Sequence, residues 1–227
     1  MYFKVLFIYR QIFKVMDTPR EQLDAIKDMR NMMERSSRFL SFSGLAGVII
    51  GITALAGVAA FCIAFNSSPV ESKYYHAIIN AEGIINKNAL NFLMKDALIV
   101  FFISVGVETW MAIRKSKQLQ VQIWDTMSKR MLINILIPFV TGALFCLILL
   151  MKNQITLLAP VSLMFYGLAL VNVSKYTVDE IRSLGIIEII LGLVAATWID
   201  LGLLNWAIGF GLLHILYGLF IYSNERK

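Results

Sequence analysis

The chain has 227 residues, of which 58% are hydrophobic and only 16% charged, and its mean hydropathy is +0.70. A soluble domain has about a quarter charged residues, so this composition excludes an ordinary soluble protein and leaves little chain for a separate soluble domain. The apolar residues form six long runs separated by short polar stretches. A helix of about 20 apolar residues crosses the hydrocarbon layer of a bilayer, so we predict an all-α, polytopic membrane bundle with six transmembrane helices.

The chain before the first apolar run has two parts. Residues 2–16 mix aromatic and basic side chains, which is typical of a segment in the membrane interface, and Met16 is an alternative start of translation. Thr18 and Glu21 match a capping box, and Pro19 suits the first turn of a helix. We therefore predict an N-terminal amphipathic helix that begins at Pro19 and leads into the first span.

One face of this predicted helix is apolar and rich in methionine, with charged residues opposite. The face consists of Ala25, Ile26, Met29, Met32 and Met33. It can rest on the membrane surface or on the protein's own inner loops. Because methionine side chains adapt to varied surfaces, it can alternatively dock a cytoplasmic protein partner. We treat residues 1–38 as a cytoplasmic or interfacial segment and residues 39–227 as the six-span transmembrane domain.

The six predicted spans follow in chain order. They cover approximately residues 39–65, 91–113, 131–151, 155–173, 177–198 and 205–222. The first span carries Ser43, Gly47 and Gly51 at four-residue spacing, and small residues at that spacing let two helices approach closely. They predict close packing within the chain, with contact to a second copy in a homo-oligomer as the alternative.

Basic residues are concentrated on one side of these spans. With the N-terminus inside, 17 of the 21 Lys and Arg residues fall on the inner side. The positive-inside rule then places both termini in the cytoplasm. Topology and lipid headgroups thereby explain the net charge of +6, so the lipid bilayer is the expected partner and nucleic acid is not.

The sequence is poor in the residues that metal and covalent chemistry need. Cys62 and Cys146 form neither a metal-ligand spacing nor a disulfide framework, and the chain has two histidines. It has no zinc-protease helix, phosphate-binding glycine loop or serine-nucleophile turn. We expect no metal and no cofactor, and catalysis has no motif to support it.

Five polar residues in the predicted spans form a candidate pocket open to the cytoplasm. They are Glu108, Asn134, Asn172, Glu188 and His214. Each of the two glutamates lies about one turn inside the inner boundary of its span, and small residues on spans 5 and 6 bring Glu188 towards His214. An acid beside a histidine can bind a cation or relay protons. The alternative is structural, because side chains one turn deep can reach the headgroups or bond between helices.

Two stretches of the chain, Glu34 to Gly47 and Glu188 to Leu193 with Trp206 to Gly218, carry a resemblance. Together they resemble an uncharacterised family of six-span bacterial inner-membrane proteins. The glycine-rich last hairpin is also faintly similar to the six-span acid-resistance membrane proteins. The resemblance implies a bacterial plasma membrane and brings no established activity or site with it.

Three functions are consistent with these features. The slightly favoured one is an accessory, sensor or scaffold protein that recruits a cytoplasmic partner through residues 18–38. The second is a small transporter or channel that uses the inner polar pocket. The third is a membrane-embedded enzyme acting on a hydrophobic substrate.

Overall fold

The structure of the protein is a computed structural model. It describes residues 23, 26–27, 43–70, 73–80, 82–119, 124, 126–177 and 180–225. Contacts divide the chain into two compact units, Met1–Phe39 and Leu40–Lys227.

Three residues of the first unit are described, and all three are helical and exposed. Leu23 is 55% and Ile26 is 65% exposed, and Lys27 is exposed as well. The capping box and the rest of the predicted docking face lie outside the described residues. Those residues are Thr18, Glu21, Ala25, Met29, Met32 and Met33.

The second unit is helical over almost its whole described length. Its helices are α1 (Gly44–Ala64), α2 (Lys73–Ile78), α3 (Lys87–Leu119), α4 (Thr126–Met151), α5 (Leu158–Val173), α6 (Glu180–Thr197), α7 (Gly202–Trp206) and α8 (His214–Glu225). A π-helix, Ala207–Leu213, joins α7 to α8, and we call these three segments together the last helix. In the described part of the chain, β-structure is limited to one bridge between Ile79 and Ile85.

Five segments of the described chain are long and apolar enough to cross a membrane. They are Gly44–Ala64, Lys87–Gln118, Met127–Met151, Ile155–Tyr176 and Ile199–Ser223. Five such helices fit a multi-pass membrane protein. The helix α6, predicted as the fifth of six spans, is not among them, because its 18 residues include Glu180, Arg182 and Glu188.

The helix α3 is longer than the predicted span 91–113 at both ends. At its start, the side-chain oxygen of Asn86 accepts hydrogen bonds from the backbone N–H groups of Asn88 and Ala89, at 3.1 and 3.3 Å. This N-cap satisfies backbone donors that the helix itself leaves free, so the helix begins before the apolar run. At the other end the helix continues to Leu119 through a basic stretch.

The small residues of α1 pack within the chain against the last helix, as predicted. A Cβ atom added to Gly47 would lie 3.1 Å from the Cα of Gly218 and 3.2 Å from the carbonyl oxygen of His214. At Gly51 it would lie 2.5 Å from the carbonyl oxygen of Gly211. Only glycine allows backbones to approach this closely, so these residues hold α1 beside the last helix.

The helices α5 and α6 form an equally close antiparallel pair. A Cβ atom on Gly185 would meet the carbonyl oxygen of Gly167 at 2.8 Å, and one on Gly192 would meet the carbonyl oxygen of Pro160 at 2.9 Å. Pro160 lies in the first turn of α5, where its missing N–H costs no helical hydrogen bond. Close contacts therefore occur at two levels of the pair. Pro160 at the start of α5 meets Gly192 in α6, and Gly167 further along α5 meets Gly185 near the start of α6.

The helices follow one another around the bundle in a spatial order that differs from the chain order. The helix α3 packs on α1, and α1 packs on the last helix. The last helix packs on α6, α6 packs on α5, and α5 packs on α4. The rings of Phe101 on α3 and Phe139 on α4 stack at a centroid distance of 5.4 Å. Only 6% of the most apolar stretch of α3 is buried, against 33% for α1, so α3 lies at the edge of the bundle.

Residues between α1 and α3 close one end of the bundle. Phe61 at the end of α1 and Ile78 in α2 are fully buried in one apolar cluster. The Tyr75 hydroxyl donates a hydrogen bond of 2.7 Å to the carbonyl oxygen of Thr156. The connection is therefore fastened to the turn that precedes α5. Gly83, with φ +78°, makes the turn after α2.

Candidate functional site

Glu188 lies near the middle of α6 and is completely buried. It follows Glu180, the first residue of the helix, by eight residues, which is about 12 Å along the axis. Its exposed fraction is 0%.

The carboxyl group of Glu188 rests on the backbone of the last helix at Gly209. A Cβ atom at position 209 would collide with Oε2 of Glu188 and would lie 2.7 Å from Cδ2 of Leu163. The absence of a side chain at this position makes the space that the carboxyl group occupies. Gly209 belongs to the π-helix, a rare conformation that is often found at functional sites.

His214 follows the π-helix and is 5% exposed. Its Nδ1 lies 2.9 Å from the carbonyl oxygen of Gly209, and its Nε2 lies 2.7 Å from the hydroxyl oxygen of Tyr166 on α5. In the neutral ring, Nδ1–H donates to the carbonyl and the tyrosine hydroxyl donates to Nε2. Both ring nitrogens therefore have a hydrogen-bond partner, and the ring has a fixed orientation.

Glu188 and His214 face each other, and the hydrogen bonding of Glu188 is incomplete. Oε1 of Glu188 lies 3.7 Å from Nδ1 of His214, beyond hydrogen-bond distance. Within the described residues, neither carboxyl oxygen of Glu188 has a hydrogen-bond partner. A charged carboxylate without partners is costly in such surroundings. A proton or a bound cation removes that cost, and this is the chemistry that the site offers.

Aromatic rings line the last helix beside this pair. The ring centroids of Trp206 and Phe210 are 4.8 Å apart, and those of Phe210 and His214 are 6.1 Å apart. Tyr166 packs against the row from α5, 4.8 Å from Phe210 and 5.5 Å from His214. Trp206, Phe210 and Tyr166 are each only partly buried. The ionisable pair thus lies at the end of a partly open aromatic wall.

Glu108 on α3 has an electrostatic effect on Tyr166. The carboxylates of Glu108 and Glu188 both act electrostatically on the Tyr166 hydroxyl, and Lys115 acts on Glu108. Glu108 comes seven residues after Phe101, so the two residues share a face of α3, and Phe101 contacts α4. Glu108 therefore lies on the α4 side of α3, between the basic end of that helix and Tyr166.

Asn134 and Asn172 form a separate polar group. The side-chain amide of Asn172 donates to the backbone carbonyl of Asn134 at 3.0 Å. The amide of Asn134 donates to the carbonyl of Arg130 at 2.8 Å and to the Tyr176 hydroxyl at 3.3 Å. Two of these hydrogen bonds, from Asn172 to Asn134 and from Asn134 to Tyr176, connect α4 to the end of α5 and the turn after it. This arrangement suits a structural role. Of the five residues of the predicted pocket, the structure pairs Glu188 with His214 and Asn134 with Asn172, while Glu108 acts electrostatically on Tyr166.

The sequence analysis missed Tyr166 and Gly209. A tyrosine in the middle of a span, away from the interfaces where tyrosines concentrate, is a signal that could have found Tyr166. Trp206, Phe210 and His214 recur every four residues, which indicates a common face next to Gly209. The contact of Gly209 with Glu188 has no sequence signal of its own, because the chain has 14 glycines.

The site has no array of metal ligands in the part of the chain that the structure describes. In that part, no group of three or more His, Cys, Asp or Glu residues is arranged to hold a metal ion. The chain matches no family model, no curated protein and no solved structure. Its fold and site define it as a helical protein with five segments long and apolar enough to cross a membrane and with a buried acid–histidine pair.

Proposed function

We propose that the protein has six spans, with α6 as the sixth membrane-crossing helix. The antiparallel contacts of α6 with α5 support this, because Gly185 and Gly192 touch α5 near its two ends. The segment Ile155–Tyr176, which contains α5, is apolar enough to cross a membrane. A helix packed along the full length of a span occupies the same depth. The charged residues Glu180 and Arg182 then lie at the membrane surface, and only Glu188 is deep.

The proposed orientation places both termini in the cytoplasm, in the plasma membrane of a bacterium. The basic end of α3 and the basic residues Lys175 and Arg182 support a common inner side. The resemblance to six-span bacterial inner-membrane proteins supports the cell type and the membrane. An even number of spans follows from placing both termini on one side.

For activity, we propose a small transporter that exchanges protons for a cation at Glu188. The observation that carries this proposal is the fully buried carboxyl group of Glu188, which has no hydrogen-bond partner among the described residues and faces His214 at 3.7 Å. Ionisable residues this deep in a membrane protein are expensive and often form ion pathways or proton relays. A purely structural role is disfavoured, because a structural acid would be hydrogen-bonded.

In this proposal Glu188 itself carries the exchangeable proton. The titratable groups that face Glu188 are His214 from the last helix and Tyr166 from α5, with Glu108 of α3 acting on Tyr166. His214 stays neutral throughout, with Nδ1–H donating to the carbonyl of Gly209 and the Tyr166 hydroxyl donating to Nε2. When Glu188 releases its proton, the charge of a bound cation balances the carboxylate, so the proton and the cation replace one another at Glu188.

Proton flux into or out of liposomes tests this activity. Purified protein is reconstituted around a pH-sensitive dye, and Na⁺, K⁺ or tetraphenylphosphonium is added outside in turn. We expect a change in internal pH with at least one cation, and a loss of at least about tenfold in Glu188→Gln, because the glutamine binds no proton. Asp200→Asn removes one acid from an exposed position and serves as the matched control. No pH change with any cation, or an undiminished change in Glu188→Gln, would refute the proposal.

Recruitment of a cytoplasmic partner by the N-terminal segment is a second candidate function. The exposure of two apolar side chains, Leu23 and Ile26, within a charged segment supports it. Deleting residues 1–38 separates the two functions: a scaffold loses its partner in a pulldown, whereas a transporter retains flux. A membrane-embedded enzyme remains a prediction from the sequence, tested by turnover of a lipid substrate that depends on Glu108 or Glu188.

A further inference from the structure

We infer that the cation exchanged at Glu188 is lipophilic and organic: an ammonium or phosphonium ion that carries apolar or aromatic groups. This inference rests on the proposed function and specifies its substrate class. It depends on three features of the site: the aromatic wall, the two unpartnered oxygens of Glu188, and the complete burial of its carboxyl group.

The aromatic wall is made of Trp206, Phe210 and Tyr166, which pack with centroid distances of 4.8 Å between neighbours. All three rings are partly exposed, so they retain surface that a ligand can cover. The face of an aromatic ring attracts an organic cation through its quadrupole, and the attraction grows when water is excluded. The wall ends at His214, whose Nδ1 faces the carboxyl group of Glu188.

Two polar groups close to Glu188 already have hydrogen-bond partners. The carbonyl oxygen of Gly209 is bonded to Nδ1 of His214, and the Tyr166 hydroxyl is bonded to Nε2. The two oxygens of Glu188 have no hydrogen-bond partner on the described residues. Calcium takes six to eight oxygen ligands, and magnesium requires an octahedron. An organic cation needs no such shell, because its charge is spread over a larger, less hydrated surface.

The carboxyl group of Glu188 is fully buried and lies against the backbone of Gly209, in the region of Leu163. A small hydrated ion would lose its water here without replacement, whereas an apolar organic cation gains from burying its hydrocarbon. A single negative charge at the end of an aromatic wall therefore complements a large monovalent cation.

Equilibrium dialysis of tetraphenylphosphonium against the full-length protein in detergent tests this inference. We expect saturable binding, at least about tenfold weaker in Glu188→Gln and unchanged in the control Asp200→Asn. We also expect Phe210→Leu to weaken binding roughly 3- to 10-fold, because it removes a cation–π contact. Phe220→Leu removes a ring from the same helix at a position that is 54% exposed, and serves as the matched control.

The outcomes separate this inference from the proposed transport activity. Equal tetraphenylphosphonium binding by the wild type and Glu188→Gln, or equal losses in Phe210→Leu and Phe220→Leu, would overturn the inference by showing partition into detergent or apolar surface. Proton exchange with Na⁺ or K⁺ in liposomes, without tetraphenylphosphonium binding, would overturn it while leaving the transporter proposal intact. If Glu188→Gln does not yield folded protein, the comparison of the two phenylalanine variants decides.

Discussion

The position of the Glu188 carboxyl group depends on the absence of a side chain at Gly209. The carboxyl group lies directly on the π-helix backbone, and Gly209 is the residue that leaves room for it. In helices within water, glycine is unfavourable relative to alanine by up to about 1 kcal/mol. Here the space created at Gly209 holds an ionisable group beside His214, so the glycine serves the site at the expense of local helix stability.

The fit of the Glu188 carboxyl group against Gly209 can be tested by adding a single methyl group at position 209. Gly209→Ala should displace the Glu188 carboxyl group, since Leu163 blocks the other direction at 2.7 Å. We expect the free energy of unfolding in detergent to fall by about 1–3 kcal/mol, and proton exchange to fall with it. Denaturant titration followed by circular dichroism measures the first effect.

A matched variant is available on another span. At Gly106 in α3, an added Cβ atom meets nothing within 4 Å. Gly106→Ala should therefore leave stability unchanged or raise it by about 0.5–1 kcal/mol, through its better helix propensity. If Gly209→Ala behaved like Gly106→Ala, Gly209 would not be the residue that positions Glu188.

At the scale of elements, glycine pairs decide which helices lie side by side. Hydrophobic burial distinguishes little between helices in lipid, because the tails are as apolar as leucine side chains, so close backbone packing becomes decisive. The structure uses two such seams, α1 with the last helix and α5 with α6. The contact face of α1 was predictable from the four-residue spacing of its small residues. The helix that packs against this face was not predictable, because Gly167 in α5 and Gly185 and Gly192 in α6 form similar small-residue surfaces.

Gly218→Val tests the seam between α1 and the last helix. An added Cβ atom would lie 2.7 Å from both the carbonyl oxygen of Gly44 and the backbone nitrogen of Val48. Backbone atoms cannot rotate away, so the two helices must separate. We expect a loss of roughly 1–3 kcal/mol or more, measured by unfolding in increasing sodium dodecyl sulfate. Gly106→Val is the control for valine's lower helix propensity, and equal effects of both changes would contradict the seam.

For the whole molecule, the number of spans determines on which side each connection lies. With six spans, Lys175 and Asp200 lie on opposite sides, because α6 crosses between them. If only the five long apolar segments crossed the membrane and α6 did not, Lys175 and Asp200 would lie on the same side. The charged residues of α6 make this the one span that composition leaves open.

Cysteine labelling in intact cells distinguishes the two topologies. In a background with Cys62→Ala and Cys146→Ala, we expect Lys152→Cys and Asp200→Cys to react with an impermeant maleimide added outside. Lys175→Cys should react only after the membrane is opened, because the basic residues stay on the inner side. Equal accessibility of positions 175 and 200 would establish that α6 does not cross. If only Lys175→Cys reacted with the maleimide added outside, the orientation would be the reverse of the proposed one.

The sequence by itself determined the helical class and the presence of several segments long and apolar enough to cross a membrane. The reason is local: long apolar runs must form helices in lipid, where every backbone polar group needs an internal partner. It also indicated the small-residue face of α1, since that face depends only on helical periodicity.

Only the tertiary structure decided which polar groups meet. The sequence placed four polar residues in one layer and His214 about a turn away, but side-chain reach and helix order divide them, pairing Asn172 with Asn134 and Glu188 with His214. Tyr166 and Gly209 joined the site because α5 and the last helix pack on both sides of α6. Contacts between distant parts of a chain depend on helix rotation and order around the bundle, and these are properties of the packed whole rather than of any one segment.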